Sequence, residues 1–352
     1  MPTRDITRAK DLLAEIPLYD GHNDLPWNLR RYGKNDLDAF DLTVLQSKID
    51  TDLPRLKAGR VAAQVFAAFL PGTIPKPATV TLEQIDVILR MERKHAGWLF
   101  PVRQPDDLET ARAKGLIGSI ISVEGTVGLE GSLAPLRMWH QLGVRLVTLC
   151  HNETLPWVDS ATDARSSTHR GLSDFGHAVI AEMNRLGLIV DLAHVAPHAM
   201  HLVLDTTRAP VFLSHGNAAT LCAHPRNVPD DILRRVPENG GLAMVTFVPE
   251  FLNPQSWRAV QPFKDTFGKN KAATTTAELT EARRIVLQGW PKDGAHFVAD
   301  HLDYFIKHVG EDHVGIGSDF YGGPNPPGLE DCSTFPVLVA ELLARGWSEQ
   351  RL

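Results

Sequence analysis

Leu18-Tyr19-Asp20-Gly21-His22-Asn23-Asp24 is an apolar run that turns polar and stops on His-x-Asp. In an extended chain, side chains at i and i+2 leave the same face, so His22 and Asp24 project together. Burying an imidazole and a carboxylate side by side with nothing to satisfy them is expensive. A strand that ends this way calls for a ligand. It also raises the question whether other strands end alike.

Working outward, short apolar, β-branched runs occupy residues 16–20, 61–70, 117–124, 144–151, 188–194, 211–215, 242–248 and 314–319. Most are apolar throughout instead of alternating, as strands buried on both faces are. Amphipathic stretches at 82–97, 134–142, 173–185, 197–206 and 277–309 read as helices between them, with Thr81, Ser132 and Ser173 near their starts as caps. Eight strands with helical crossovers predict an α/β fold, a (β/α)8 TIM barrel, in preference to a doubly wound sheet. One catalytic domain over residues 1–352 is the economical division. The polar stretch 253–276 after the seventh strand is expected to be a long loop over the catalytic face.

Composition narrows the function classes. Hydrophobic residues at 43% and charged residues at 22% suit a globular chain that buries a full core. A net charge of -6 with scattered basic residues gives no footprint for nucleic acid or an anionic membrane. Cys150, Cys222 and Cys332 are too few and too widely spaced for a disulfide framework or a CxxC zinc site, and are expected as buried small apolar residues. The first ten residues hold no apolar core of a secretory signal, and no run approaches the ~20 apolar residues of a membrane span. A cytoplasmic protein is expected.

Six of the eight runs finish on His, Asp or Glu: His22 with Asp24, then Glu124, His151, His194, His215 and Asp319. In a parallel barrel these ends converge on one mouth, where active sites of the fold lie. Imidazole nitrogen and carboxylate oxygen both bind Zn²⁺. His22, Asp24 and Glu124 are assigned to one ion, and Glu124, His194 and His215 to a second. Glu124 has two oxygens and can bridge metals about 3.5–4 Å apart; no Lys at a strand end competes for that role. The expected cofactor is two Zn²⁺ per chain, bridged by Glu124 and a shared water or hydroxide, in a hydrolase. Asp20 and Asp191, inside strands, are expected to hold histidine ring nitrogens. His177, His198, His201, His296, His301 and His308 fall on helical stretches and are expected at the surface or in packing.

Asp20-Gly-His-Asn-Asp-Leu-Pro-Trp27, Ser122-Val-Glu-Gly125, Asp191-Leu-Ala-His194, Arg226-Asn-Val-Pro-Asp-Asp231 and His313-Val-Gly-Ile-Gly-Ser-Asp-Phe320 together resemble the membrane (renal) dipeptidase family of zinc metallopeptidases. The resemblance runs from about residue 16 to residue 350, with the motifs in order. It implies a two-zinc TIM barrel that cleaves dipeptides, with the same five metal residues. It further implies that His151 and Arg226 bind substrate and that Asp319 is the catalytic carboxylate. The secreted animal members carry a signal and a lipid anchor; this chain reads as a bacterial-type member with neither. The family continues past Gly346-Trp-Ser-Glu349 into a further helix, so the closing C-terminal helix is expected to be truncated or absent here.

On that reading metal-bound hydroxide attacks the amide and Asp319 shuttles the proton to the leaving amine. His151 is positioned to stabilise the oxyanion, with a structural hydrogen bond as its other reading. Arg226, eleven residues beyond His215, suits bidentate capture of a free C-terminal carboxylate; taken alone it reads as a solvated loop arginine. Glu153, Asp159 and Asp163 could favour a basic first residue, although a solvated loop is the plainer reading. The expected partner is an L-Xaa-L-Xaa or L-Xaa-D-Xaa dipeptide, with no nucleic acid or membrane, and a homodimer as the assembly considered. Two alternatives stand beside it: a related two-metal barrel hydrolase acting on lactones, phosphoesters or N-acyl amino acids, and a metal-binding regulator without catalysis.

Overall fold

The computed structural model describes residues 5–163, 171–261, 281, 284–291 and 294–352. Its strands are β1 (Leu18–Asn23), β2 (Val61–Phe69), β3 (Leu99–Pro101), β4 (Ile117–Glu124), β5 (Val144–Thr148), β6 (Ile189–Asp191), β7 (Val211–Gly216), β8 (Leu242–Val245) and β9 (Val314–Ile316). Every pairing is parallel. Eight of the strands run in the order β2-β1-β9-β8-β7-β6-β5-β4, and β4 pairs again with β2, closing the ring. With helices between the strands this is the (β/α)8 barrel that the apolar runs predict.

β3 is an addition that periodicity could not flag, being three residues long and ending in proline. It lies along Ile117–Ser119 at the start of β4, and β5 takes over the same edge from Ile121 onward. Four strands, β5, β6, β8 and β9, stop three residues before their apolar runs do. β5, β6 and β9 stop at Thr148, Asp191 and Ile316, so His151, His194 and Asp319 each lie in the turn beyond. His194 and Asp319 have φ of 68° and 59°, a left-handed backbone that cannot continue a strand.

The helices follow expectation with local corrections. Helix Pro77–Lys94 starts before Thr81, because Pro77 sits in its first turn and Thr81 bonds back to the Pro77 carbonyl instead of capping. Ser173 does cap its helix, accepting from the Gly176 amide. The single helix expected over 277–309 is broken at Gly289-Trp290-Pro291, and the helix proper is Ala295–Val309; residues 277–280 lie outside the described residues. The stretch after β8 is not all loop, since Pro254–Val260 is helical, and 262–276 lie outside the described residues. The three cysteines are buried and unpaired as expected. Among the described residues no helix is long and apolar enough to cross a membrane.

Candidate metal centre

Parallel strands bring their carboxyl ends to one rim, and that geometry gathers the site. His22 and His215 lie within β1 and β7, Glu124 ends β4, Asp24 follows β1, and His194 follows β6. All five are buried. His22 Nε2 lies 3.5 Å from Asp24 Oδ1 and 3.4 Å from Glu124 Oε2. The other Glu124 oxygen, Oε1, lies 2.9 Å from His194 Nε2 and 3.6 Å from His215 Nε2. One carboxylate thus faces two groups of donors, one oxygen to each. Ligands about 2.0–2.1 Å from a tetrahedral ion are spaced by roughly 3.3 Å, and the measured separations of 3.4 and 3.5 Å in one group and 2.9 to 3.6 Å in the other bracket that value.

The ring tautomers turn lone pairs inward. The Ser214 hydroxyl donates to Asp191 Oδ2 at 2.6 Å and so accepts from His215 Nδ1 at 2.8 Å. Asn152 Oδ1 accepts from His194 Nδ1 at 3.2 Å. Both Nε2 atoms are therefore unprotonated, yet they face each other at 3.0 Å beside Glu124 Oε1. In the other group His22 Nε2, Asp24 Oδ1 and Glu124 Oε2 are buried without hydrogen-bond partners. Electron-rich atoms collected this closely need a cation among them. The residues fit two divalent ions of the kind imidazole and carboxylate bind.

The field of the site agrees. Burial works against the Glu124 charge, but the neighbouring His22 and His151 outweigh it and hold its carboxyl well below the usual range. Burial, with the Arg226 guanidinium adding to it, pushes the imidazoles of His194 and His215 well down, so both are neutral donors. His22 behaves oppositely. Burial opposes its protonation, but Glu124 and Asp24 together raise it well above the ordinary histidine value. The pair of carboxylates draws positive charge to His22 Nε2, the atom aimed at the first ion. Burial pushes Asp319 up to about 8, Asp24 and Glu124 adding to it against His22 and Arg226.

The remaining candidates surround these five. Asp319 Oδ1 is 3.9 Å from His22 Nε2, and the set His22, His215 and Asp319 also lies within ligating reach of one centre. His151 Nε2 is 3.9 Å from Glu124 Oε1, and its ring lies against those of His194 and Phe69 at 4.3 and 4.7 Å. Arg226 is buried, corrects the reading of a solvated loop arginine, and gives the His215 carbonyl a bond of 3.2 Å. Its Nε has no partner, and its guanidinium lies over the Phe251 ring. Among the described residues no carboxylate pairs with it.

Three expectations need correction. Asp191 reaches a histidine nitrogen only through Ser214, because the strand register puts the hydroxyl between them. Asp20 touches no ring and instead binds Ser318. Asp159 is fully buried, not solvated, where it accepts from the Gly171 amide and faces His198 Nε2 at 2.8 Å. Glu153 is partly buried on the Gly72 amide, and Asp163 accepts from the Thr154 amide. His301, expected at the surface or in packing, is buried and joins the loop after β7 to the end of helix Pro249–Leu252 through both ring nitrogens. Ser214, Asn152, Ser318 and Gly322 escaped the reading of strand ends. Their signal was adjacency: each is one to three residues from a site residue.

The family described as Membrane dipeptidase (Peptidase family M19) matches residues 6–352 of this chain. Dipeptidase aclJ of Aspergillus oryzae is 36% identical over 354 residues, covering 96% of this chain and 75% of that protein. The metallo peptidase of Rhodobacter sphaeroides, solved with a phosphinate mimic of the dipeptide L-Ala-D-Ala, is 26% identical with a TM-score of 0.77, over 96% of this chain and 95% of the other. The probable dipeptidase PvdM of Pseudomonas aeruginosa shares the fold with a TM-score of 0.83 at 23% identity, over 98% and 94% of the two chains.

Proposed function

Since the chain belongs to the membrane dipeptidase family, peptidase family M19, whose members are metallo-dipeptidases, we propose that it hydrolyses free dipeptides with two zinc ions at the barrel mouth. The observation that carries this reading is the division of Glu124, one oxygen toward His22 and the other toward His194 and His215. His22, Asp24 and Glu124 would hold one ion, and Glu124, His194 and His215 the other. Bound divalent ions polarise a carbonyl and lower the pKa of water toward neutrality.

The chain's own groups supply the rest. Arg226 takes the free C-terminal carboxylate, its planar fork bonded among the described residues only to the His215 carbonyl. With the carboxylate fixed so near the reacting centre, no further residue fits, and chain length is limited to two. The clamp grips the carboxylate and not the second side chain, so that side chain can be L or D. The ligand of the Rhodobacter sphaeroides relative, a mimic of L-Ala-D-Ala, supports that tolerance. His151 donates from Nε2 to the oxygen that becomes negative as the carbonyl is attacked. Asp319, whose Oδ1 lies 3.9 Å from His22 Nε2 at the edge of the centre, takes the proton of the attacking water as its carboxylate and passes it to the leaving amine. Together these residues make the whole chain one catalytic barrel.

Elemental analysis of the purified chain tests the centre, with two divalent ions per chain expected. One ion or none would remove the bridging role of Glu124. Parallel assays with dipeptides and their C-terminal amides test the substrate class: turnover of the free acids only is expected, and equal turnover would exclude a carboxylate clamp.

A further inference from the structure

We propose that a buried aspartate clasping a serine, built twice in this barrel, sets the reacting groups in place, and that Asp20 is thereby a positioning residue for Asp319. The inference rests on the catalytic reading of Asp319 given above. In the first copy Asp191 of β6 accepts from Ser214 of β7, the amide to Oδ1 at 2.8 Å and the hydroxyl to Oδ2 at 2.6 Å. In the second, Asp20 of β1 accepts from Ser318 beyond β9, the amide to Oδ1 at 2.7 Å and the hydroxyl to Oδ2 at 2.7 Å. Each pair spans neighbouring strands, is buried, and puts one carboxylate oxygen on each serine donor.

The residue after each serine is a site residue, His215 in one case and Asp319 in the other. Asp191 also accepts from the Ala193 amide at 3.1 Å, just before His194. Three site residues therefore follow directly on a backbone amide pinned by a buried carboxylate. Two of them, His194 and Asp319, hold left-handed backbones that L residues avoid. A conformation of that kind persists only where its surroundings over-determine it. At Asp319 the clasp acts from the amino side, helped by a bond from the Asp319 amide to the His22 carbonyl at 3.2 Å.

The two copies differ at the far end of the relay. The Ser214 hydroxyl oxygen also accepts from His215 Nδ1, so the first copy orients the imidazole as well. Beyond Asp20, the Ser318 hydroxyl meets among the described residues only the His22 carbonyl, at 3.4 Å. Asp20 stands in none of the candidate metal sets found among the described residues. Its remaining bond is from Gln64 Nε2 at 2.8 Å. The carboxylate of Asp20 thus faces three donors and no ring, and its work is to hold Ser318. From the carboxyl side, Gly322 completes the seat. A Cβ there would overlap both carboxylate oxygens of Asp319, whereas hydrogen lets the side chain lie down on the turn.

The full-length chain loaded with zinc tests this through S318A, S318T and D20N. S318A and D20N are expected to lower kcat by about tenfold or more, with KM and metal content unchanged. S318T keeps the hydroxyl and is expected to recover most of that loss. A crystal structure of metal-free S318A should show residue 319 out of its left-handed conformation or its carboxylate displaced. An S318A enzyme with unaltered kcat overturns the proposal, as does a fall matched by loss of metal or an S318T no better than S318A. If D20N fails to fold, the serine pair still decides. Should the unmodified chain cleave no dipeptide, the functional reading fails separately. The crystal comparison then stands alone, and an unmoved residue 319 overturns the proposal.

Discussion

Arg226 concentrates what single residues contribute here. A buried guanidinium with one protein hydrogen bond destabilises the fold that carries it, because desolvation is met by little in return. On the proposed reading that cost is met by the substrate carboxylate. R226M should therefore keep or raise the melting temperature while raising KM for dipeptides roughly a hundredfold, the ~3 kcal/mol of a buried charge-assisted pair. Calorimetry and steady-state kinetics on the same preparation check both halves, and a lower melting temperature with unchanged KM would remove the assignment. This residue also marks a limit of the sequence. His22, Asp24, Glu124, His194 and His215 were legible because each ends an apolar run and has chemistry of its own. Arg226 lies in a loop, and nothing in its neighbours reveals burial. Asn152, Ser214 and Ser318 were illegible for another reason: a hydroxyl or amide becomes meaningful only when a partner from another strand is seen across from it.

At the scale of elements, helix Ala295–Val309 reaches over the site rim through His301. Its Nδ1 accepts from the Ala218 amide at 3.0 Å and its Nε2 donates to the Leu252 carbonyl at 3.1 Å. One imidazole thus ties the loop that carries Arg226 to the end of the short helix Pro249–Leu252 that follows β8. Burial pushes its pKa down to about 4, against the Leu252 carbonyl and Asp300, which work the other way. In the unfolded chain the ring takes its proton near 6.5. Its contribution is therefore complete above pH ~6.5 and is lost as pH falls toward ~4, by up to about 3 kcal/mol in all. Denaturant unfolding at about pH 7.5 and about pH 5 should show a steeper loss for the unmodified chain than for H301Q. Equal losses would mean that His301 does not titrate in that window. The strands were the most legible elements, since eight buried parallel runs have a hydrophobic pattern of their own. Their ends were less so. Hydrophobicity continues into Leu192-Ala193 and Leu149-Cys150, but the backbone has already left the sheet.

The whole molecule couples its barrel to its centre. Six buried donor groups, five of them from four strand ends and the sixth Asp319, repel one another or stand without partners until a cation joins them. Chelation should lower the melting temperature by several degrees, and restored zinc should reverse the loss in proportion to its concentration over Kd. A melting temperature indifferent to metal would contradict the reading of these atoms as ligands. The sequence by itself determined the barrel, because continuous apolar runs separated by amphipathic stretches have few other ways to bury both faces. It also determined which side chains meet at the mouth, because parallel strands bring their ends to one rim. Only the tertiary structure decided which Glu124 oxygen faces which histidine, which ring nitrogen bears hydrogen, and what Asp20 and Asp191 hold. Those are distances of about 3 Å between residues far apart in the chain, where hydrogen bonding is decided. Residue order carries them only through the register at which strands close.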